Sequence, residues 1–356
     1  MRLTIIAILI LIATANCPAQ NTTAFADSVR QLYKIPELSY AIVSADSVYE
    51  VHALGVRKIN TQWAATLSDR FRIGSNTKAI TGFIAAQLVK EGKLSWNTKF
   101  FDLFPEMKST SNKAYWQLTL LNLLTFRARL IKYTYTDDVP AKGQFTGNKA
   151  AQRYQFTNWF FKQPPVVDAG ICYSNLGFVA AGLMLEKASG KPYQQLVKDL
   201  GSSLGINFDF GQPNLNDSMQ TWGHNAELVP EPPYDNYKLN WLLAAGNINV
   251  TLPDYIKFIQ LQLRGLQGRS PLLPQAQFDF LHYGLPNFAV GWFWDTDSTG
   301  QQFSYNVGNP GTYLTKVYVY KTKSKAMIIF TNAQTPEADK GIDVLYDKLK
   351  QVYALE

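Results

Sequence analysis

β-Prone runs lie near both ends of this 356-residue chain, with helical patterns between them. Near the N-terminus, residues 39–43 and 48–54 flank a polar Ser-Ala-Asp-Ser turn signal, which predicts a hairpin. Towards the C-terminus, strands are predicted at residues 288–294, 313–320 and 326–331. This order predicts an α+β fold, in which one antiparallel sheet is built from both chain ends, is flanked by helices and carries a large, mostly helical insertion.

The predicted helices follow apolar periodicity and end near glycine or proline. They cover residues 79–90, 118–125, 174–188, 193–200, 252–263 and 337–353. We expect residues 20–356 to form a single domain, with its sheet part at about 20–78 and 245–356 and its helical part at about 79–244.

The first 19 residues have the pattern of a secretory signal peptide. Arg2 precedes an apolar run over residues 3–13, and a stretch of small residues follows. Cleavage after Ala19 is the preferred interpretation, and a lipoprotein attached at Cys17 is the less favoured one. We therefore expect a periplasmic or secreted protein with no stable membrane span in the mature chain.

Composition excludes several other classes of function. Removal of the signal peptide leaves Cys172 as a single cysteine, so neither an internal disulfide nor a zinc knuckle can form. The formal net charge is +7, but the basic residues are scattered and form no run or stripe. This distribution argues against nucleic acid as a partner.

Ser75 and Lys78 form a Ser-x-x-Lys pattern directly before a mostly apolar run over residues 80–88. If a helix opens at Ser75, the Lys78 amine lies one turn further on the same face and can reach the hydroxyl. A serine needs such a partner to take its proton, and a lysine with a lowered pKa can serve. Gly74 allows a sharp turn into the helix. The alternative is an ordinary surface pair, so the interpretation depends on partners elsewhere.

Tyr173 and Asn175 form a second candidate element at the start of the helix predicted for residues 174–188. They are two positions apart, so they point to the same side of an extended segment. Tyr173 could act on the Ser75 proton, and the Asn175 amide could orient the substrate or Lys78. The alternative is that Tyr173 is a core residue and Asn175 a helix cap.

Residues 126–167 are aromatic and polar without a clear period, which is typical of loops that wall a site. Within this stretch, Arg127 and Arg129 follow the helix predicted for residues 118–125. They either supply positive charge to a cleft or face solvent.

Residues 71–78 and 173–175, together with the glycine-containing helix that follows, resemble the first and second motifs of a known family. It is the class C β-lactamase and D-alanyl-D-alanine carboxypeptidase family of penicillin-recognising serine hydrolases. The resemblance covers about residues 35–332. It implies a β-lactamase/transpeptidase-like fold.

The resemblance also implies roles for individual residues. Ser75 would attack a carbonyl, Lys78 and Tyr173 would move its proton, and Asn175 would position the substrate. The backbone N–H groups of Ser75 and Gly308 would hold the oxyanion.

The family's third motif, a lysine or histidine followed two positions later by glycine, is altered in this chain. Anchored on Gly308 and the Pro-Gly pair after it, the motif places Tyr305 where the cation belongs and Val307 where the glycine belongs. A second register places Asn306, Val307 and Gly308 there, which keeps the glycine but provides no cation. Tyr305, Asn306 and Gly308 are therefore candidate substrate-binding residues.

By this resemblance, the expected activity is acyl transfer from an amide, ester or β-lactam to Ser75, followed by release. The implied partner is a small-molecule or peptide-like substrate, and neither a cofactor nor a metal is required. Because the third motif is altered, esters and other amides are better candidate substrates than β-lactams. The alternative is a catalytically silent or slowly acylating penicillin-binding-like protein that uses the same cleft for binding.

Overall fold

A computed structural model of the chain describes residues 18–167 and 170–355. Most of the predicted signal peptide, including the candidate lipidation site Cys17, lies outside the described residues. Among the helices that are described, none is long and apolar enough to cross a membrane.

The described residues form nine strands. They are β1 (Glu37–Ser44), β2 (Val48–Gly55), β3 (Arg70–Arg72), β4 (Asp209–Phe210), β5 (Ile248–Thr251), β6 (Phe293–Thr296), β7 (Gln302–Gly308), β8 (Leu314–Tyr320) and β9 (Lys325–Thr331).

The same two ranges contain thirteen α-helices, several of them a single turn. They are α1 (Pro18–Leu32), α2 (Thr77–Lys90), α3 (Phe100–Leu103), α4 (Pro105–Lys108), α5 (Leu120–Leu124), α6 (Lys149–Phe161), α7 (Asn175–Ser189), α8 (Tyr193–Leu204), α9 (Tyr237–Trp241), α10 (Leu243–Gly246), α11 (Leu252–Leu266), α12 (Gln275–Tyr283) and α13 (Pro336–Val352).

Six strands form the main sheet in the order β2-β1-β9-β8-β7-β6, and every neighbouring pair is antiparallel. The N-terminal hairpin joins the C-terminal strands where β1 pairs with β9, with Tyr40 opposite Ile329. The sheet is thus built from both chain ends, which confirms the predicted α+β architecture.

The two faces of the sheet are covered by different helices. Side chains of a strand alternate between faces, and on β8 Val317 and Val319 join the larger core, which includes α2 and α11. Tyr318 and Tyr320 point the other way, into a smaller core with α1 and α13. The helical insertion lies on the α2 side, where α2 and α7 are buried on nearly all sides.

A small second sheet, in the order β3-β5-β4, supports the segment that leads to Ser75. In this sheet Phe71 on β3 lies opposite Val250 on β5. The pairing fixes the chain two residues before the turn into α2, so it sets where that turn begins.

Several segments differ from the sequence expectation: helices α1 and α12 were not predicted, and three further segments bear on the site. Residues 126–167 contain α6, whose Phe156 and Phe160 are fully buried, so this stretch is not loop throughout. The strand predicted at residues 288–294 begins at Phe293 rather than at Phe288. The candidate third motif lies on a regular strand, β7, that sequence periodicity did not predict.

Glu37 at the start of β1 is fully buried and predicts a pH-dependent stability. Burial, with a smaller effect of neighbouring Asp69, holds the pKa of this carboxyl well above its ordinary value of 4.5. A carboxyl whose pKa is raised in the folded state stabilises the fold at pH values below its ordinary pKa. This stabilisation is lost as pH rises towards the folded-state pKa. We expect Glu37→Gln to melt a few degrees higher than wild type at pH 8 and at nearly the same temperature at pH 4. Thermal melts between these pH values, with exposed Glu91→Gln as control, check this, and parallel wild-type and Glu37→Gln profiles would contradict it.

Candidate active site

Ser75 lies in a tight turn that leads directly into α2. Gly74–Asn76 form a single 3₁₀ turn, and α2 begins at Thr77. Gly74 has a φ of +50°, and a Cβ there would lie 2.8 Å from the Asn309 nitrogen, so only glycine fits without strain. The turn presents the Ser75 side chain and backbone N–H at the N-terminus of a buried helix, where the helix dipole favours negative charge.

Lys78 is 1% exposed, and its Nζ has three oxygen neighbours. It lies 2.9 Å from Ser75 Oγ, 2.7 Å from Asn175 Oδ1 and 2.9 Å from the Ala245 carbonyl oxygen. Burial lowers the pKa of Lys78, and the opposing effect of Tyr173 is smaller. The amine can therefore lose its proton more easily than an exposed lysine.

The N-terminus of α7 brings the second element to this pair. Ser174 is the N-cap, and its hydroxyl accepts from the Leu176 N–H and donates to the Ile131 carbonyl. Asn175 is thus the first helical residue rather than the cap. Its Nδ2 donates to the Tyr133 carbonyl at 3.0 Å, which orients Oδ1 towards Lys78.

Tyr173 contacts the Ser75 side chain through its hydroxyl. Its hydroxyl lies 2.7 Å from Ser75 Oγ, and its ring centroid lies 5.3 Å from Lys78 Nζ. Burial alone would raise the pKa of Tyr173, but the nearby Lys78 charge and the hydrogen bond to Ser75 outweigh it, so the net direction is downward. The structure therefore brings together Ser75, Lys78, Tyr173 and Asn175, as the sequence predicted.

Tyr305, by contrast, lies on the face of the main sheet that points away from Ser75. It pairs with Tyr318 of β8, and directly opposed residues of antiparallel strands share a face. Both side chains line a surface cleft with Tyr346 of α13, on the side of the smaller core. The expectation that Tyr305 occupies the cation position is therefore wrong in this geometry.

Asn306 is the residue of β7 that faces Ser75. It pairs with Val317 of the larger core, and its Nδ2 donates to the Gly291 carbonyl at 2.7 Å and to the Ser75 carbonyl at 3.4 Å. The second register is the one that the structure adopts. The position that faces the nucleophile is thus neutral.

Gly308 lets β7 approach the Ser75 turn. A Cβ on Gly308 would lie 1.9 Å from the Ile73 carbonyl oxygen, so no larger residue fits here without movement. In the adopted register, the backbone N–H after the glycine belongs to Asn309, whose nitrogen is the atom close to Gly74. The second candidate oxyanion donor is therefore Asn309 rather than Gly308, which corrects the expectation.

Neither candidate arginine supplies free charge to Ser75. Arg127 donates to the backbone carbonyls of Thr125, Pro286 and Phe288, which fastens its loop to the segment before β6. Arg129 is exposed and donates to the Val166 carbonyl. Arg127 thus has a structural role rather than lining the cleft with charge.

The histidines do not contact Ser75. His282 bonds Ser304 and Gln262, and burial lowers its pKa to about 3. His224 bonds the Asn332 carbonyl and the Ile59 N–H, and burial lowers its pKa as well. These two are neutral structural residues, and His52 lies on β2, where it contacts Thr23 at 3.1 Å. The hydrogen-bonded partners of Ser75 Oγ are therefore Lys78 and Tyr173.

Sequence reasoning missed a backbone component of the site. The Ala245 carbonyl in α10 accepts from Lys78, and the preceding Ala244 carbonyl accepts from Thr81 of α2 at 2.7 Å. The Thr81 hydroxyl also bonds Tyr193 of α8 at 2.6 Å. These contacts hold α10 against α2. Residue type does not show which backbone carbonyl accepts a hydrogen bond, so no sequence signal pointed to the Ala245 carbonyl.

Comparison with known proteins places this geometry in a family. A sequence model described as beta-lactamase matches residues 25–351. Protein flp of Staphylococcus aureus strain MW2 is 20% identical over 321 residues, which cover 87% of this chain and 62% of that protein. A beta-lactamase of Providencia stuartii is 24% identical over 251 residues, which cover 68% of this chain and 60% of that protein. The chain thus spans about three fifths of the length of these relatives.

Solved structures share the fold. The D-alanine carboxypeptidase AmpC from Burkholderia cenocepacia superposes with a TM-score of 0.72 at 19% identity, covering 93% of this chain and 99% of that one. The octameric penicillin-binding protein homologue from Pyrococcus abyssi gives a TM-score of 0.73 at 19% identity, covering 88% of this chain and 73% of that one. Because the family match extends over most of the sequence, this protein belongs to the beta-lactamase family.

Proposed function

We propose that this protein is a serine hydrolase that forms an acyl-enzyme at Ser75. One observation carries the proposal: Lys78 Nζ, Ser75 Oγ and Tyr173 Oη form a continuous chain, with distances of 2.9 Å and 2.7 Å. A nucleophile with a hydrogen-bonded base on one side and a second titratable group on the other is the arrangement that covalent catalysis needs.

The contacts of Lys78 define how the proton can move. Asn175 Oδ1 and the Ala245 carbonyl can only accept, so they take two N–H bonds from Lys78. The third tetrahedral position faces Ser75 Oγ, and it holds either a lone pair or a proton. A neutral Lys78 is therefore directed to take the Ser75 proton, and a charged Lys78 stabilises the phenolate of Tyr173.

The reaction divides into two balanced steps. Ser75 Oγ attacks the carbonyl carbon, its proton passes through the Lys78 and Tyr173 pair to the leaving alcohol or amine, and the acyl group stays on Ser75. Water then attacks the ester, giving a carboxylic acid and restoring the serine hydroxyl. The backbone N–H groups of Ser75 and Asn309 are the proposed donors to the oxyanion.

The third motif has no cation to bind a substrate carboxylate. It therefore favours substrates that lack a carboxylate at this position. Asn306, whose amide is bonded to the Gly291 and Ser75 carbonyls, stands where the family motif has lysine or histidine. We therefore favour esters and uncharged amides over β-lactams. The same feature favours the rival function, a catalytically silent or slowly acylating protein that uses the same cleft for binding.

A fluorophosphonate probe separates the two functions. We expect the folded wild-type protein to be labelled covalently and Ser75→Ala to remain unlabelled, because the probe needs an activated serine. Matching thermal melts of the two proteins serve as the folding control. Folded wild-type protein that takes no label would contradict the hydrolase and favour the binding role.

A further inference from the structure

The space beside Ser75 is strongly asymmetric. On one side lies a cavity of about 30 Å³, whose lining includes Ser75, Asn175 and Asn309. Tyr173 does not line this cavity, and at 37% exposure it faces solvent. The nucleophile thus has a narrow cavity on one side and solvent on the other.

The chemistry decides which part of the substrate occupies each side. The leaving group must receive a proton, and Tyr173, which is hydrogen-bonded to Ser75 Oγ, is the exposed group that can donate it. We therefore place the leaving group next to Tyr173. The acyl substituent lies on another side of the carbonyl carbon. The narrow cavity, whose lining also includes Tyr135, Asn175 and Leu239, is where we place it.

The size of the cavity sets a limit on that substituent. A volume of about 30 Å³ has room for a water molecule or a methyl-sized group, whereas a cavity that binds benzene measures about 150 Å³. We propose that this narrow cavity restricts the enzyme to small acyl groups such as acetyl, carried on a larger alcohol or amine. This inference rests on the proposed hydrolase function and names its substrate class.

The wall of the cavity is held firmly rather than formed by mobile surface side chains. Leu239 and Leu242, in and after α9, are each 3% exposed. Tyr135 packs against Gly311, where a Cβ would lie 2.1 Å from its hydroxyl oxygen. Lys238 of α9 also bonds Asp138 at 3.1 Å, which ties the Tyr135 loop to the helix.

The loop that carries Tyr135 is also fastened to the second element of the site. The Ser174 hydroxyl donates to the Ile131 carbonyl at 2.7 Å, and Asn175 Nδ2 donates to the Tyr133 carbonyl. A larger acyl group would have to move Tyr135 against these bonds. Tyr135 and Leu239 are therefore the residues that we assign as determinants of acyl size.

A chain-length series on the wild-type protein tests the inference without any variant. We expect kcat/KM to fall at least about 10-fold from p-nitrophenyl acetate to p-nitrophenyl octanoate, whereas added methylenes usually raise kcat/KM. With acetate fixed, 1-naphthol and p-nitrophenol as leaving groups should be accepted within about 10-fold of one another, since that side is open. Equal or greater rates with octanoate would overturn the inference.

Two variants from separate elements, Leu239→Ala and Tyr135→Ala, should each raise the octanoate-to-acetate ratio at least about 10-fold. The matched control is Tyr237→Ala, in the same short helix, whose ring packs on Trp241 at 4.9 Å and does not line the cavity. An unchanged ratio in both folded variants would overturn the inference. Absence of Ser75-dependent hydrolysis with every ester would instead overturn the proposed function and this inference with it, so the two failures are distinguishable.

Discussion

Replacing Lys78 with methionine is expected to lower kcat/KM for ester hydrolysis at least about 10³-fold. The change removes the group that faces Ser75 Oγ and leaves Asn175 Oδ1 and the Ala245 carbonyl without their donor in a buried site. It also removes the charge that lowers the pKa of Tyr173. Both proton carriers are affected at once, which is why this effect should be among the largest.

Two further variants make the Lys78 measurement specific. Lys90→Met removes a lysine from the last turn of the same helix, where Nζ donates to the Leu272 carbonyl, and should leave kcat/KM within about 2-fold. Lys78→Arg keeps the charge but cannot act as a base, so it should not rescue activity. More than a tenth of wild-type kcat/KM in folded Lys78→Met would show that Lys78 is not needed to move the proton.

Replacing Gly308 with alanine is expected to impair both activity and stability. The new Cβ would lie 1.9 Å from the Ile73 carbonyl and 2.4 Å from Thr315 Oγ1, so β7 must move away from the Ser75 turn. Separation of Asn309 from Gly74 removes the second oxyanion donor, an effect of about 10²- to 10³-fold in rate. Overpacking of this kind lowers the free energy of unfolding by about 1 to 3 kcal/mol.

The matched control for Gly308 is Gly170→Ala, because a Cβ there meets nothing within 4 Å. Steady-state kinetics and denaturant melts of the two variants provide the measurement. A folded Gly308→Ala protein with wild-type kcat/KM would contradict the proposed role of this strand in holding the oxyanion donor.

The parts of the fold that the sequence predicted are those with strong local signals. Strands β8 and β9 are rich in β-branched and aromatic residues, and β1 and β2 flank a polar turn signal, so their places in the chain could be read from the sequence. Helices α2 and α7 were equally clear, since both are apolar and bounded by turn residues. These two helices carry Lys78 and Asn175 and directly follow the Ser75 turn and Tyr173, so most of the site followed from them.

The register of the third motif could not be read in the same way. On β7 the face towards Ser75 carries Ser304, Asn306 and Gly308, while the opposite face carries Tyr305 and Val307. The polar face is the buried one, so hydrophobic alternation points to the wrong side. A slip of one residue exchanges the two faces, and only pairing with β8 resolves it.

Other missed features depend on tertiary contacts. Helix α6 has little amphipathic pattern because Phe156, Phe160 and Phe161 pack into an aromatic cluster while polar residues lie between them. Residues 288–291 resemble a strand but pass close to α2, where a Cβ on Gly291 would lie 2.5 Å from the Lys78 carbonyl oxygen. Neither arrangement has a local sequence signal.

The central claim is that Ser75 is the nucleophile, and the site of covalent labelling tests it most directly. Trypsin cleavage after Arg72 and Lys78 releases a six-residue peptide, Ile73 to Lys78, in which Ser75 and Thr77 are the hydroxyl residues. Mass spectrometry of fluorophosphonate-treated protein should find about one label per chain, located on Ser75 of this peptide and absent from Ser75→Ala. A label on another residue, or labelling that persists in Ser75→Ala, would contradict the assignment of the nucleophile.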